Sequence, residues 1–240
     1  MGGEGALSNV FVSREEKTEA FAPLKKGLVV SCQAPEGTPI DTPNFIVAQA
    51  LTVVLAGAVG IRAQGIANVT ALAASTKVPI IGLVKRYSDR TPIHITPEID
   101  DVLELEKAGA TIVAIDATER LRPEGVMLSE FMKRVRAKTD LPILADVDTL
   151  EAAMIAESFG CDAIATTLSG YTEKSAPDLP NIQLIRQIVN EVSLPVIAEG
   201  GLNRTEHVIE AFEAGAWSVC IGTAITNPYL LTKSFVQAIN

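Results

Sequence analysis

The stretch LPVIAEGG, residues 194–201, decides the fold class of this chain. A proline opens the run, three apolar residues follow, and the run ends in Glu199 and two glycines. A strand that is apolar at successive positions is buried on both faces, as the strands of a parallel sheet are. A proline at the first strand residue loses no essential hydrogen bond. The stretch therefore predicts one buried parallel strand that carries a carboxylate and a glycine turn at its carboxyl end.

Short apolar runs of this kind recur along the chain, with helical patterns between them. The runs rich in Val, Ile and Ala cover residues 28–32, 58–62, 79–84, 111–116, 142–147, 161–166, 195–199 and 217–222. The helical patterns cover about 43–56, 64–74, 97–108, 124–138, 149–158, 181–192, 203–214 and 227–239. Eight strand–helix units in 240 residues fit an α/β fold of the closed (β/α)8, or TIM-barrel, type better than an open doubly wound sheet.

The barrel is predicted to be a single domain, because no linker interrupts the alternating pattern. We assign residues 13–240 to the barrel and residues 1–12 to a Gly-rich flexible tail. Residues 13–16 (SREE) have the spacing of a capping box. This spacing predicts a short N-terminal helix that closes the bottom of the barrel.

The composition argues against several classes of partner. Lys plus Arg is 20 and Asp plus Glu is 29, so the formal net charge is −9. An acidic chain without a dense basic patch is not expected to bind nucleic acid or an anionic membrane surface. The longest apolar stretch, residues 45–61, is interrupted by Gln49 and by glycines, so it does not predict a membrane span.

The compartment is predicted from the N-terminus and the cysteines. The first residues lack the apolar segment of a secretory leader. The three cysteines are odd in number and lack CxxC spacing, which favours reduced thiols within a core. We therefore expect a cytoplasmic protein.

Each predicted strand ends in a polar residue or a glycine, which locates a candidate site. The residues are Gln33, Arg62, Lys85, Asp116, Asp146, Thr167, Glu199 and Gly222. Barrel active sites lie at the carboxyl ends of the strands. Side chains alternate along a strand with a period of two. Counted from the prolines that open their strands, Lys85, Asp146 and Glu199 lie at even offsets, so all three are expected to point into the barrel mouth.

A ring of charges in the mouth has two interpretations. Buried unpaired charge is costly, so such a ring is expected to bind a ligand. The alternative is a plug of salt bridges without chemical use, in which Arg62 or Lys85 pairs with Asp146 and Glu199.

Two glycine turns and the positions of the histidines indicate which ligand and which catalytic groups the candidate site could have. Gly200-Gly201 and Gly222-Thr223 follow the last two strands, where many barrels bind phosphate through backbone N–H groups. Neither histidine of the chain ends a strand, so no metal centre is predicted at the mouth. Lys85 and Glu199 then remain the candidate proton carriers. A lysine is a base only when it is neutral, so burial or a neighbouring cation must lower its pKa.

Several segments together resemble the N-acylglucosamine-6-phosphate 2-epimerase family, the N-acetylmannosamine-6-phosphate epimerases of sialic acid use. The segments are LVVSCQA (28–34), VGIRAQG (59–65), IIGLVKR (80–86), ITP (95–97), ADVDT (145–149), TTLSGY (166–171), IAEGG (197–201) and GTAIT (222–226). The resemblance implies an isomerase that interconverts N-acetylmannosamine 6-phosphate and N-acetylglucosamine 6-phosphate without a metal or an organic cofactor. It implies catalytic roles for Lys85 and Glu199. It also implies a set of substrate-binding residues: Gln33, Arg62, Asp146, Gly200, Gly201, Gly222 and Thr223.

Two positions depart from the family pattern. The family usually has an arginine at the place of Asn227 and a second glycine at the place of Thr223. An asparagine brings neither a charge nor a bidentate fork to a phosphate. Weaker phosphate affinity or an altered substrate is therefore a hypothesis for this chain.

Two other functions remain open at this point. A lysine at a strand end also suits a Schiff-base aldolase that acts on a sugar phosphate. A sugar-phosphate sensor that binds without turnover is the second alternative, and Asn227 favours it slightly. A homodimer is compatible with an acidic, apolar-rich barrel, but the sequence locates no interface.

Overall fold

A computed structural model describes residues 19–89, 91–175 and 178–239 of the chain. These residues include eight parallel strands, which close into a barrel in chain order. The strands are β1 Leu28–Cys32, β2 Gly60–Gln64, β3 Ile80–Leu83, β4 Ile112–Asp116, β5 Ile143–Asp146, β6 Ala163–Ala165, β7 Val196–Glu199 and β8 Ser218–Ile221. Each strand pairs only with its neighbours in the chain, and β8 pairs with β1 to close the sheet.

Helices follow the strands and form the outer layer. They are α1 Pro43–Leu55, α2 Ile66–Ser75, α3 Ile99–Lys107, α4 Leu128–Arg136, α5 Leu150–Ser158, α6 Ile182–Glu191, α7 Thr205–Glu213, α8 Thr223–Thr226 and α9 Pro228–Gln237. The predicted (β/α)8 barrel is confirmed, and every predicted apolar run overlaps a strand.

The strands are apolar throughout because they face two cores. One set of side chains fills the barrel interior and includes Ile81, Leu83, Leu144 and Ile197. The alternate set packs outward against the helices in a larger cluster. At Gly82 a Cβ atom would lie 2.9 Å from the Cβ of Ala110, so this glycine lets the start of the next unit approach β3 closely. Because side chains alternate along a strand, residues two positions beyond a member of the interior set also point into the barrel, at its mouth.

The bottom of the barrel is closed by residues that precede β1. Phe21 and Leu24 are fully buried and belong to the interior cluster. A Cβ atom at Gly60 would lie 2.6 Å from a terminal methyl group of Leu24, so the glycine lets this side chain pack closely against the start of β2. Trp217 donates an indole hydrogen bond of 2.8 Å to the carbonyl oxygen of Phe21. The predicted tail of residues 1–12 and the capping box of residues 13–16 lie outside the described residues.

Two predicted helices differ from those in the structure. The helix predicted over 124–138 begins at Leu128, because Glu124 and Gly125 have φ values of 61° and 74°, which a right-handed helix cannot contain. The last helix, predicted over 227–239, spans Pro228–Gln237 and is preceded by the separate short helix α8. Within the described parts of the chain, no helix is long and apolar enough to span a bilayer.

Candidate active site

The structure brings the predicted strand-end side chains to the carboxyl end of the barrel. Leu83, Leu144 and Ile197 belong to the interior cluster. Lys85, Asp146 and Glu199 follow these residues by two positions, so they have the same inward direction. We refer to Lys85, Arg62, Asp146 and Glu199 as the mouth cluster.

Arg62 is the centre of the mouth cluster. Its Nη1 and Nη2 atoms donate to both carboxylate oxygens of Asp146, at 2.9 Å and 2.6 Å. Nη1 also lies 3.0 Å from Oε2 of Glu199. Burial alone would lower the pKa of Arg62, but the two carboxylates outweigh it and hold the pKa above its ordinary value. Arg62 is therefore a fixed positive charge.

Thr167 is a further hydrogen-bond partner of the Asp146 carboxylate. Its hydroxyl donates to Oδ1 of the carboxylate at 2.7 Å. Asp146 is fully buried, and buried carboxylates of this kind need such partners for each oxygen. The carboxylate thus holds the guanidinium of Arg62 in one orientation.

Lys85 has a different kind of partner. Its Nζ donates to Oε1 of Gln33 at 2.7 Å, and Nε2 of Gln33 donates to Oγ of Ser31 at 2.9 Å. Burial lowers the pKa of Lys85, and the positive charge of Arg62 lowers it further, against a smaller opposite effect of Glu199 and Asp146. Both main causes favour the neutral amine, which is the form that can accept a proton.

The pKa of Glu199 is shifted in the opposite direction, above its ordinary value. Burial raises the pKa of its carboxyl group, the charge of Arg62 partly opposes this effect, and Asp146 adds to it. The hydroxyl of Thr166 accepts from the amide of Glu199 at 3.0 Å and donates to its carbonyl oxygen at 2.8 Å, which fixes the backbone at the end of β7. The site thus contains a lysine with a lowered pKa and a carboxyl group with a raised pKa, an arrangement typical of acid–base chemistry.

The alternative interpretation of these charges, a plug of salt bridges without chemical use, accounts for only part of this arrangement. Arg62 pairs with Asp146 and Glu199, as a plug would require. Lys85, however, contacts the amide oxygen of Gln33 rather than a carboxylate. A plug would neutralise this cation, whereas the observed partner leaves it free to change its protonation state.

The two glycine turns lie beside the mouth cluster. Gly200 and Gly201 have φ values of 110° and 72°, and a Cβ atom at Gly201 would lie 2.4 Å from the Cβ of Leu179. Gly222 precedes α8, and a Cβ atom there would lie 3.3 Å from Ser31. The glycines thus let Leu179 and Ser31 pack close to the two turns, and the first turn has the left-handed backbone that glycine adopts without strain.

Some predicted strand ends do not join the mouth cluster. The carboxylate of Asp116 pairs within its own loop, with Arg120 at 2.6 Å and with the Thr118 hydroxyl at 2.7 Å. His94 contacts the carbonyl of Arg86, at a ring-nitrogen distance of 3.2 Å. Among the described residues, no group of three or more His, Cys, Asp or Glu side chains could hold a metal ion. The expected absence of a metal stays a prediction.

Asn227 has a structural role that the sequence did not indicate. Its side-chain oxygen accepts a hydrogen bond of 2.9 Å from the amide of Leu230 and so caps α9. The cap uses the side-chain oxygen and leaves the NH2 group, which is the part of an asparagine that can donate to a phosphate oxygen.

A cavity of about 310 Å³ lies next to the mouth rather than in it. It is bounded by the loops after β5 and β6, and none of the predicted site residues line it. Two of the polar side chains that line it are paired: Asp148 accepts from the Thr172 hydroxyl and Lys174 donates to Glu119, both at 2.6 Å.

Sequence reasoning named Thr167 as a strand end but missed Ser31 and Thr166 as parts of the site. Ser31 could have been found by parity, because it lies two residues from Val29, an inward-facing position of β1. The hydroxyl of Thr166 hydrogen-bonds backbone atoms of Glu199 on the neighbouring strand β7, 33 residues later in the sequence, so no local pattern indicates its role.

Together the fold and the mouth cluster are typical of the (β/α)8-barrel enzymes, whose active sites lie at the carboxyl ends of the strands. Comparison with known proteins gives the particular family. The family described as "Putative N-acetylmannosamine-6-phosphate epimerase" (NanE) matches residues 46–240, and the chain belongs to this family.

Individual relatives agree with the family. A protein of Caldanaerobacter subterraneus subsp. tengcongensis named "Putative N-acetylmannosamine-6-phosphate 2-epimerase" is 43% identical over 220 residues, which cover 90% of this chain and 92% of the relative. A protein of Thermosynechococcus vestitus with the same name is 40% identical over 217 residues, covering 90% and 94%. The solved N-acetylmannosamine-6-phosphate 2-epimerase of Clostridium perfringens superposes with a TM-score of 0.85 at 38% identity, covering 90% of this chain and 94% of that one.

Proposed function

We propose that this chain interconverts N-acetylmannosamine 6-phosphate and N-acetylglucosamine 6-phosphate by removing and returning the proton at C2. The observation that carries the proposal is the pair formed by Lys85 and Glu199. Burial shifts the pKa of each toward the other's range, and the fixed charge of Arg62 acts on both groups. The membership of the chain in the NanE family supports the same reaction.

The first step is the loss of the C2 proton from the open-chain sugar. The proton is acidic because C2 is next to the C1 carbonyl group. The lone pair of the neutral Lys85 amine takes this proton, the electron pair of the C–H bond forms a C1–C2 double bond, and the π pair of the carbonyl group moves to the C1 oxygen to give an enolate. Among the described residues, Nε of Arg62 has no hydrogen-bond partner, so this buried N–H is available to the developing oxyanion. Such stabilisation is typically worth a few kcal/mol.

The second step returns a proton to the opposite face of C2. The raised pKa of Glu199 supports a carboxylic acid that donates this proton. After one turnover Lys85 is protonated and Glu199 is ionised, which is the state that the reverse reaction requires. The same two groups therefore serve both directions without a metal or a cofactor.

The remaining predicted residues bind the substrate in this proposal. Gln33 and Asp146 contact the sugar, while the turns at Gly200-Gly201 and Gly222-Thr223 hold the phosphate. The location of both turns at the ends of β7 and β8, where many barrels bind phosphate, supports this assignment.

We also propose a cytoplasmic homodimer. Cys32, Cys161 and Cys220 are buried and form no disulfide, which fits a reducing compartment. On α9 no residue is buried, although the helix and its end carry large apolar side chains. They include Tyr229, Leu230, Phe235 and Ile239, which are 42–83% exposed. A second copy that covers this surface is the proposed partner.

Proton NMR of N-acetylmannosamine 6-phosphate with the enzyme in deuterated water tests the function. We expect the second epimer to appear together with deuterium at C2. Binding without turnover would instead indicate a sensor. A covalent adduct on Lys85 after borohydride treatment would indicate a Schiff-base aldolase.

A further inference from the structure

A chain of three polar side chains runs from β1 to the Lys85 amine. Oγ of Ser31 accepts from Nε2 of Gln33 at 2.9 Å, and Oε1 of Gln33 accepts from Nζ of Lys85 at 2.7 Å. Neither the proposed chemistry nor the resemblance to the family assigns a role to Ser31.

Ser31 is held firmly in place. It is 6% exposed and lies directly opposite Arg62 in the pairing of β1 with β2. Its carbonyl oxygen accepts a hydrogen bond of 2.7 Å from the buried hydroxyl of Thr226 in α8. The missing side chain of Gly222 leaves room beside it. Its hydroxyl is therefore a fixed partner for Gln33.

The orientation of the Gln33 amide decides what Lys85 can do. A protonated lysine is a donor only, so it needs the amide oxygen. A neutral lysine that keeps this contact directs its lone pair away from Gln33 and toward the mouth. If the amide turned over, its NH2 group would donate to that lone pair and block the base.

We propose that Ser31 is a positioning residue, which keeps the NH2 group of Gln33 turned away from Lys85 so that the amide oxygen faces the amine. The inference rests on the proposed function, because it assumes that Lys85 acts as the base. Ser31 itself does not touch the substrate in this account and acts through Gln33.

Other groups that set the protonation of Lys85 face it from three strands. They are Arg62 on β2, Asp146 on β5 and Glu199 on β7. None of them contacts the Ser31 hydroxyl by a hydrogen bond in the structure, so substitution of Ser31 leaves these charges in place. A change in the pKa of Lys85 in a Ser31 variant would then indicate a change in the orientation of the Gln33 amide group.

The test is the titration of Lys85 in the Ser31→Ala variant. The Cε carbon of Lys85 is followed by NMR of 13C-lysine-labelled protein, and its signal is assigned by its loss in Lys85→Met. We expect a further lowering of the Lys85 pKa, because an inward-facing NH2 group disfavours the ammonium form. We also expect kcat to fall roughly fivefold, the size of one lost hydrogen bond, while KM stays within about twofold.

Two variants make the test specific. Ser31→Thr keeps the hydroxyl, so the Lys85 pKa and kcat are expected to return toward wild type. Ser218→Ala removes a hydroxyl that is also fully buried in a barrel strand but lacks a hydrogen-bond partner among the described residues, so it should change neither quantity.

An unchanged Lys85 pKa in Ser31→Ala would overturn the positioning role, even if stability or kcat fell. An equal change in Ser218→Ala would overturn it as well. If the wild type lacked epimerase activity but the Lys85 pKa moved as expected, the proposed function would fail and the positioning of Lys85 would stand.

Discussion

Two buried ion pairs at the top of the barrel use the same residue types in different ways. In the mouth cluster, Arg62 of β2 joins Asp146 of β5 and Glu199 of β7. In the loop after β4, Asp116 pairs with Arg120, four residues away. The ion pairs of Arg62 connect strands that lie across the barrel from one another. The ion pair of Asp116 with Arg120 connects a loop to the strand that precedes it.

The difference shows how a candidate active site can be distinguished from an ion pair that only stabilises a loop. The lysine with a lowered pKa and the carboxyl group with a raised pKa are both in the cross-barrel cluster. Burial also raises the pKa of Asp116, against the opposing charge of Arg120, and burial lowers the pKa of the neighbouring Arg122 to about 10. An arginine with this pKa stays protonated near neutral pH, so it does not supply the base that Lys85 supplies in the mouth cluster. A shifted pKa alone therefore does not identify the site.

The largest effect is expected for Lys85→Ala. Without the amine no base remains on the Lys85 side of the sugar, so exchange with deuterated solvent of a C2 proton that faces this side should fall by at least about a thousandfold. Circular dichroism should show an intact fold, because the lysine forms only one side-chain hydrogen bond. Lys133→Ala, at an exposed position of α4, is the control and should exchange at the wild-type rate. Retained exchange of that proton in Lys85→Ala would refute the assignment.

A matched pair of substitutions tests the comparison itself. Asp146→Asn should lower kcat/KM roughly a hundredfold, because the orientation of Arg62 is lost. Asp116→Asn should change kcat/KM less than about threefold, although it should lower the free energy of unfolding by about 1–3 kcal/mol. Steady-state kinetics and urea unfolding of both variants provide the measurements. Equal losses of activity would show that the two ion pairs do not differ in function.

The pH dependence of kcat follows from the direction of the Lys85 shift. The base must be neutral and the carboxyl group of Glu199 must carry a proton, so kcat should rise with pH in the acid range and fall again in the alkaline range. Because burial and Arg62 lower the pKa of Lys85, the maximum should lie well below the ordinary lysine value of about 10.4. A profile of kcat against pH in wild type checks the prediction. A rise that continues to the ordinary lysine value would contradict the burial effect.

The smallest effect is expected at Asn227. Asn227→Arg adds a positive charge at the position where the resemblance implies a phosphate contact, so KM should fall a few-fold. It also removes the cap of α9, which should cost about 1 kcal/mol of stability. Asn227→Ala removes the same cap without adding charge and separates the two effects. An unchanged KM in Asn227→Arg would reject the hypothesis of weakened phosphate affinity.

Periodicity predicted the strands and the inward direction of their last residues, because both depend on local alternation. It could not predict which of these residues pair, since Arg62 reaches Asp146 and Glu199 across 84 and 137 residues of sequence. The late start of α4 depends on the left-handed conformation of Glu124, which a glutamate rarely adopts. The role of Asn227 as a cap depends on the break between α8 and α9, which the pattern of that region did not indicate.

The account places one hexose between the amine of Lys85 and the carboxyl group of Glu199. A crystal structure of Lys85→Ala with N-acetylglucosamine 6-phosphate tests this placement most directly. The account predicts that C2 lies about 3–3.5 Å from the position that the wild-type Nζ occupies, with Glu199 on the other face of C2. A sugar bound in the cavity between the loops after β5 and β6, or one with both groups on the same face of C2, would contradict it.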